Sequence, residues 1–337
     1  MRTLRRSIAV GAAALLVVLA VDAHAQAARD TRTDEQNAPP EREPMAAPQD
    51  GAEPEDDEAL ARRALERLLE QRGALLLRAW TVEVVPELSY AHTDTLALGG
   101  EQLLARTRTN QIQGVLTLRL GLPWQLQLEG SVPGLRVGRD VSSGAARAAA
   151  TAVGLGDTRV SLTHHLVHAR NAIPDVLIAG SWRAPAGTSP YDVAPGEVPL
   201  GTGFHGLQAK LIATKVADPL VYLANASYEA NLRADTNQGR IDPGDTWGVG
   251  GGAFLAVSPE TSLSFLVQFQ YTPELRLRAA TTPGTYQKVP GTDQTVASLQ
   301  LGLATLVSRH ALLNFALEIG LTEDAPDFRL GVSVPLH

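Results

Sequence analysis

The sequence predicts an all-β chain, an antiparallel transmembrane β-barrel of about twelve strands preceded by a short N-terminal helix. Three observations predict it: a secretory leader, an alternation of apolar and polar residues with period two from Thr81 onward, and connections that are alternately short and long.

The leader comes first. Arg2, Arg5 and Arg6 precede an apolar stretch from Ile8 to Val21, and Ala23-His24-Ala25 places small residues where a signal peptidase reads them. Residues 1–25 are therefore read as a signal peptide cleaved after Ala25. The Arg5-Arg6 pair has no further twin-arginine context, so ordinary export is the reading adopted. No later stretch approaches the roughly 20 apolar residues of a membrane helix. The absence of Cys excludes disulfides, thiolate catalysis and thiolate metal sites. A formal charge of -7 with dispersed arginines excludes a basic nucleic-acid track.

Residues 26–56 are expected to be a disordered acidic tether. From Gln26 to Glu58 the chain has eleven acids against three arginines, with Pro39, Pro40, Pro44, Pro48 and Pro54 interspersed and too few apolar side chains for a core. Residues 57–78 form the helical segment. Asp56 or Asp57 caps it, the first turn is acidic as the helix dipole favours, and Gly73 stops the regular part. Ala61, Leu65, Leu68 and Leu75 lie on a stripe about two heptads long. Three roles stay open: self-association through 57–72, packing against the barrel mouth or entry into the lumen, or a simple lead into the first strand.

The barrel is placed at 79–337. Its twelve alternating runs are 80–91, 112–121, 124–134, 156–167, 175–184, 203–215, 220–232, 246–257, 261–273, 294–306, 311–322 and 326–336. In Leu263-Ser-Phe-Leu-Val-Gln-Phe-Gln-Tyr271 one face is apolar and the other polar, with Leu266 the exception. An even count leaves both ends on one side of the membrane. Turns after even-numbered runs are compact, as at Leu122-Pro123, whereas those after odd-numbered runs are mostly long, as from Arg136 to Gly154 and from Ala186 to Gly201.

Soluble sheets also alternate, so the direction of the apolar face must be argued. Gln125, Gln127, Ser264, Gln268, Ser298, Gln300 and Asn314 are uncharged polar groups suited to a hydrated lumen. Runs of ten to thirteen residues fit a tilted bilayer crossing better than the strands of about five or six residues found in soluble sheets. Trp80, Tyr90, Trp124, Trp182, Tyr222, Tyr228, Trp247 and Tyr271 mostly flank the runs as an aromatic belt would. By parity Glu129, Arg159, Lys210, Glu229, Glu318 and Arg329 face the lumen as a mixed-sign set. Such a set either pairs across strands and stabilises the wall or guides a substrate.

Chemistry finds little foothold. A phospholipase barrel needs Ser and His together on the lipid-facing wall. His164 shares a face with Val160 and Leu162, Ser161 lies opposite, and Ser181 is a remote candidate without a lipase-like string around it. The pair His164-His165 points to opposite faces, and Asp235, Asp242 and Asp245 read as a solvated loop before a surface cation site. Gly154-Leu-Gly156 and Gly250-Gly-Gly252 lack the strand-to-helix setting of nucleotide loops. The chain is expected to be no enzyme, with no cofactor and no metal.

Several strings carry a family resemblance. Gly154-Leu-Gly-Asp157 with Arg159-Val-Ser-Leu-Thr-His-His-Leu166, Ala184-Pro-Ala-Gly187, Leu200-Gly-Thr-Gly203 and Leu321-Thr-Glu-Asp-Ala-Pro-Asp-Phe328 resemble the outer-membrane family named for the meta-pathway of phenol degradation. The resemblance extends over most of 79–337. It implies a transport barrel for hydrophobic compounds, located in the outer membrane with its N-terminal segment in the periplasm. The secretion channel of the Fap-type functional-amyloid system is similar in layout. That similarity implies a trimer through 57–72 and a plug in 57–72 and the adjoining Gly73 to Leu77, with Leu75, Leu76 and Leu77 as the plug residues. The leading expectation is a channel or transporter for small hydrophobic molecules. The alternatives are a secretion channel for amyloid subunits and a structural or adhesive barrel with a filled lumen. The expected partners are outer-membrane lipid, a small hydrophobic molecule or exported polypeptide, and a second copy of the chain, with no nucleic acid.

Overall fold

A computed structural model describes residues 75–337, apart from 100–101, 145, 171–172, 195, 218–219, 238, 259, 280–284, 309–310 and 337. The leader, the tether and all of the helical segment before Leu75 lie outside the described residues.

Seventeen strands follow in order: β1 (Val82–Gly99), β2 (Gln102–Leu122), β3 (Leu126–Ser143), β4 (Ala146–Leu155), β5 (Thr158–Val167), β6 (Asp175–Ala184), β7 (Gly206–Ala217), β8 (Leu220–Asn231), β9 (Ala234–Thr236), β10 (Gly239–Asp242), β11 (Thr246–Ser258), β12 (Thr261–Thr272), β13 (Arg276–Ala279), β14 (Gln287–Lys288), β15 (Gln294–Ser308), β16 (Ala311–Gly320) and β17 (Phe328–Ser333). Twelve of them form an antiparallel ring. Each pairs with its neighbour, and β1 closes on β17 with Glu87 opposite Ser333 and Ala91 opposite Arg329. Closure satisfies the amides and carbonyls that an edge strand would leave bare in hydrocarbon. β4 continues the line of β5 along β3, and β9, β10, β13 and β14 make a small separate sheet in the long connections.

Which face looks outward is settled by β12. Ser262, Ser264 and Leu266 are 2%, 6% and 4% exposed, whereas Leu263, Phe265 and Val267 are 43%, 49% and 41% exposed. A soluble barrel would show the reverse, because its leucines would fill the centre. Register carries this parity around the ring: Leu128, Val160, Leu162, Trp182, Leu207, Leu211, Phe315, Ile319 and Leu330 all stand exposed on the outer wall. So wide a continuous apolar surface demands lipid. The fold is a transmembrane β-barrel.

The wall departs from the sequence reading at the loop-bearing end. Segments 92–111 and 136–154, expected as loops, are paired strands: β1 and β2 pair from Val82–Leu120 to Gly99–Gln102 with one register shift between Ala97 and Leu98, and β3 and β4 from Gly134–Leu155 to Ser143–Ala146. Beyond the bilayer both faces meet water, so the period-two signal fades while backbone pairing continues. The outer face marks the transition. Past Tyr90 and Ile112 it presents Asp94 ion-paired to Arg106 and, at 3.3 Å, to Arg108, groups that lipid would not accept. At the opposite, short-turn end, Leu122 pairs with Leu126 around a tight turn in which Trp124 and Gln125 take φ of 61° and 58°.

Candidate functional site

The lumen is the candidate site, and its charges follow from register. Among the six charged residues read from parity, no single network forms. Arg119 lies directly opposite Glu129 and beside Glu83, and donates from Nε to Glu129 at 2.9 Å and from Nη1 to Glu83 at 3.0 Å. Glu318 lies opposite Arg329 at 3.3 Å. The largest group spans four strands. Arg159 and Arg183 face each other across β5 and β6, an arrangement that like charge disfavours. Glu229 offsets it at 3.0 Å from Arg183 and 3.5 Å from Arg159. Ser181 and Gln208 accept from Arg159, and Asn231 accepts from Arg183 at 2.8 Å. Gly206 makes this possible, since a Cβ there would stand 2.5 Å from the Glu229 carboxylate. Lys210 belongs to none of these groups and makes no hydrogen bond or ion pair among the described residues.

Sequence parity could have named Glu83, Arg119 and Arg183 as well, because all three occupy inward positions in register. The identity of their partners could not be read, since it depends on which strands meet.

Toward the short-turn end the inner wall becomes apolar. Leu177, Ile212, Val221, Leu223, Phe254, Leu266, Ala304 and Leu312 form one buried cluster on seven strands. Val221 and Phe254 are wholly buried. Leu75 and Leu76 pack against this cluster together with Leu306. Leu77 is buried, and its amide donates to Gln127 Oε1 at 2.9 Å. Three successive residues ahead of the first strand thus contact both the greasy and the polar parts of the inner wall.

Space remains inside. A chamber of about 430 Å³ is bounded by Lys210, Ile212, Leu223, Leu266, Gln268, Gln300 and the Glu318–Arg329 pair, with Pro326 at its loop-end limit. A smaller one, about 180 Å³, touches Glu87, Thr117, Arg119 and Asn314. At the short-turn rim a cleft of about 540 Å³ lies between Leu75–Ala79 and the side chains of His165, His168 and Asp175. There His165 Nε2 is 3.0 Å from Asp175 Oδ1.

The long connection 185–205 folds back inward. Val198 and Leu200 bury themselves against Val137, with Leu135 packed beside them. One carboxylate fastens this loop: Asp157 accepts from the Gly187 amide at 3.1 Å, the Thr202 amide at 2.8 Å and the Thr202 hydroxyl at 2.6 Å. Gly187 and Gly201 must be glycines, because a Cβ on either falls within 2.8 Å of the other's backbone. Three of the sequence strings singled out above therefore meet at one point. The fourth fastens neighbouring strand ends. Asp324 accepts from Thr295 N, Thr322 from Ala297 N, and Asp327 from Asp94 N.

The residues weighed for acyl chemistry do not converge. Ser161 and Ser181 are paired on the inner face, whereas His164 lies on the outer face with Nδ1 3.2 Å from the Gln125 carbonyl. Among the described residues no group of three or more His, Asp or Glu is arranged to hold a metal. Asp235 and Asp242 are each engaged by an arginine, Arg240 at 3.7 Å and Arg233 at 3.2 Å, and Asp245 accepts from the Tyr228 hydroxyl.

No protein-family profile matches the sequence. Among solved structures, an outer-membrane channel of Pseudomonas putida F1 superposes with a TM-score of 0.56 at 18% identity, covering 78% of this chain and 97% of its own. The transport unit of the autotransporter AIDA-I of Escherichia coli matches at TM-score 0.43 and 9% identity, covering 83% of this chain and 97% of its own. The translocator domain of NalP from Neisseria meningitidis matches at 0.40 and 10%, with the same coverages. The last two scores are too low to bear on mechanism. The first, at so low an identity, speaks to architecture alone: this chain has the fold of an outer-membrane β-barrel.

Proposed function

We propose that the chain is a passive outer-membrane channel for small, largely apolar molecules, with Leu75, Leu76 and Leu77 acting as its plug, and that it performs no covalent chemistry. The observation that carries this reading is the apolar patch inside a lipid-embedded barrel. A channel for ions or sugars gains nothing from Phe254, Leu266 and Leu223 on its inner wall, whereas an apolar solute can exchange water for them. Short turns face the periplasm in bacterial barrels, so the patch and the leucines that cover it sit at the periplasmic exit. The resemblance to the phenol meta-pathway family supports the same reading, as does the description of the Pseudomonas putida structure as an outer-membrane channel.

The test is planar-bilayer conductance of the purified protein, set beside proteoliposome uptake of a neutral aromatic solute, with and without residues 26–78. Removal of the segment is expected to raise both conductance and uptake. A small conductance that does not change on deletion would refute the plug, and absence of uptake in both proteins would refute the channel.

A further inference from the structure

We propose that the 430 Å³ chamber is a binding site for amphiphilic monocarboxylates, with the head group on the Lys210 ammonium and the tail along Ile212, Leu223 and Leu266. The inference rests on the channel reading and names the class of molecule that the channel accepts.

Charge accounting selects an anion. Register puts Lys210 on the inner face beside Ser227 and Ala179. Arg159 and Glu129 both act on it electrostatically, yet neither bounds the chamber or forms an ion pair with Lys210; Arg159 pairs with Glu229 and Glu129 with Arg119. The acid bounding the chamber, Glu318, is taken by Arg329. The chamber therefore offers one uncommitted cation and no uncommitted anion. A cationic guest would find no partner there, and a multiply charged phosphate would find too few.

The rest of the lining selects an amphiphile. Gln268 and Gln300 bring amide donors to the same chamber as the ammonium, whereas Ile212, Leu223 and Leu266 belong to the buried apolar cluster. Leu75 and Leu76 pack against the same cluster, so the tail would run toward the plug. The volume lies within the range of small-molecule sites, about 300–1,000 Å³. In the sequence Leu266 breaks the polar alternation of its strand, and in the chamber it supplies the apolar surface beside the amides.

The test is equilibrium binding of radiolabelled octanoate and octan-1-ol to the full chain in lipid nanodiscs, corrected with empty discs, for the native protein, Lys210→Gln and Lys210→Arg. Native and Lys210→Arg proteins are expected to bind octanoate saturably. Lys210→Gln is expected to weaken octanoate about tenfold or more, the loss of a charge-assisted contact, while octan-1-ol binds all three alike. Equal octanoate affinity in the native and Lys210→Gln proteins overturns the proposal, and so does a parallel loss of both ligands in Lys210→Gln. If the native protein binds neither ligand, the chamber is no site for apolar molecules and the channel reading falls with it.

Discussion

Replacing Glu229 by Ala removes the anion that lies between Arg159 and Arg183. The glutamate side chain is 8% exposed, Arg183 17% and Arg159 32%. The two guanidiniums would be left opposite each other on adjacent strands, with only Ser181, Gln208 and Asn231 as neutral acceptors. Removing one partner of a buried pair costs about 3–5 kcal/mol. Arg159 is about a third exposed to a hydrated lumen, where screening weakens its share, so about 3 kcal/mol is the expected loss. Urea unfolding in lipid vesicles, followed by tryptophan fluorescence, should show a lower midpoint with an unchanged slope. Adding Arg183→Ala should restore part of the loss, because the stranded charge is then gone. A loss below about 0.5 kcal/mol, typical of an exposed ion pair, would refute the claim that this group is a buried network.

Three further outcomes follow from other parts of the wall. Gln125→Gly should stabilise the barrel by about 1 kcal/mol in the same assay, since a residue with a Cβ at φ of 58° is disfavoured by about 1–2 kcal/mol, less the added entropy of glycine. Asp157→Ala should speed hydrogen exchange at the Gly187 and Thr202 amides by about tenfold or more while leaving global unfolding nearly unchanged, because the three bonds to this carboxylate fasten a loop and not the ring. The hairpin beyond the lipid should loosen in acid. The hydrogen bond from Arg106 holds the Asp94 carboxyl at about 2 instead of 3.8. The pair's contribution is thus complete above pH 3.8 and lost as pH falls through about 2. Side-chain NMR of Arg106 would register this, and a signal unchanged between pH 5 and 1.5 would refute it.

The parts of the fold legible in the sequence were those where lipid enforces a strict contrast between faces. The run 261–273 corresponds to Thr261–Thr272 and 220–232 to Leu220–Asn231, and even 175–184, where small residues blur both faces, coincides with its strand end to end. Where that contrast lapses the reading lapsed too, in the paired extensions of β1 to β4 above the membrane. The weak alternation of 246–257 also has a cause: Gly250 and Gly252 face inward where a Cβ would strike the Gln268 side chain and the Phe265 carbonyl. Parity put the six charged residues on the inner wall, but it could not divide them into groups. Glu129 belongs with Arg119 and Arg159 with Glu229 through strand adjacency, and adjacency for side chains tens of positions apart leaves no mark in a single sequence. The Asp157 clasp was invisible for the same reason, although its glycine-rich strings were conspicuous.

The exceptions to the alternation are more informative about function than the rule. A polar inner wall is the default for a barrel whose lumen holds water, so each inward Leu, Ile or Phe exposes apolar surface to water unless something covers it. Here those residues do not scatter. Leu177, Ile212, Val221, Leu223, Phe254, Leu266 and Leu312 gather on one stretch of wall, and the chain's own Leu75 and Leu76 cover part of it. Structural need alone does not account for that grouping, because the ring is already closed by its backbone pairing and its outer face by lipid. If the patch existed only to seat Leu75 and Leu76, replacing both by Ser should raise uptake of a neutral aromatic and ionic conductance in equal proportion. If it is also a path for apolar guests, the same replacement should increase uptake of a neutral aromatic more than it increases ionic conductance. The ratio of the two fluxes, measured on one preparation, decides between a seal and a conduit.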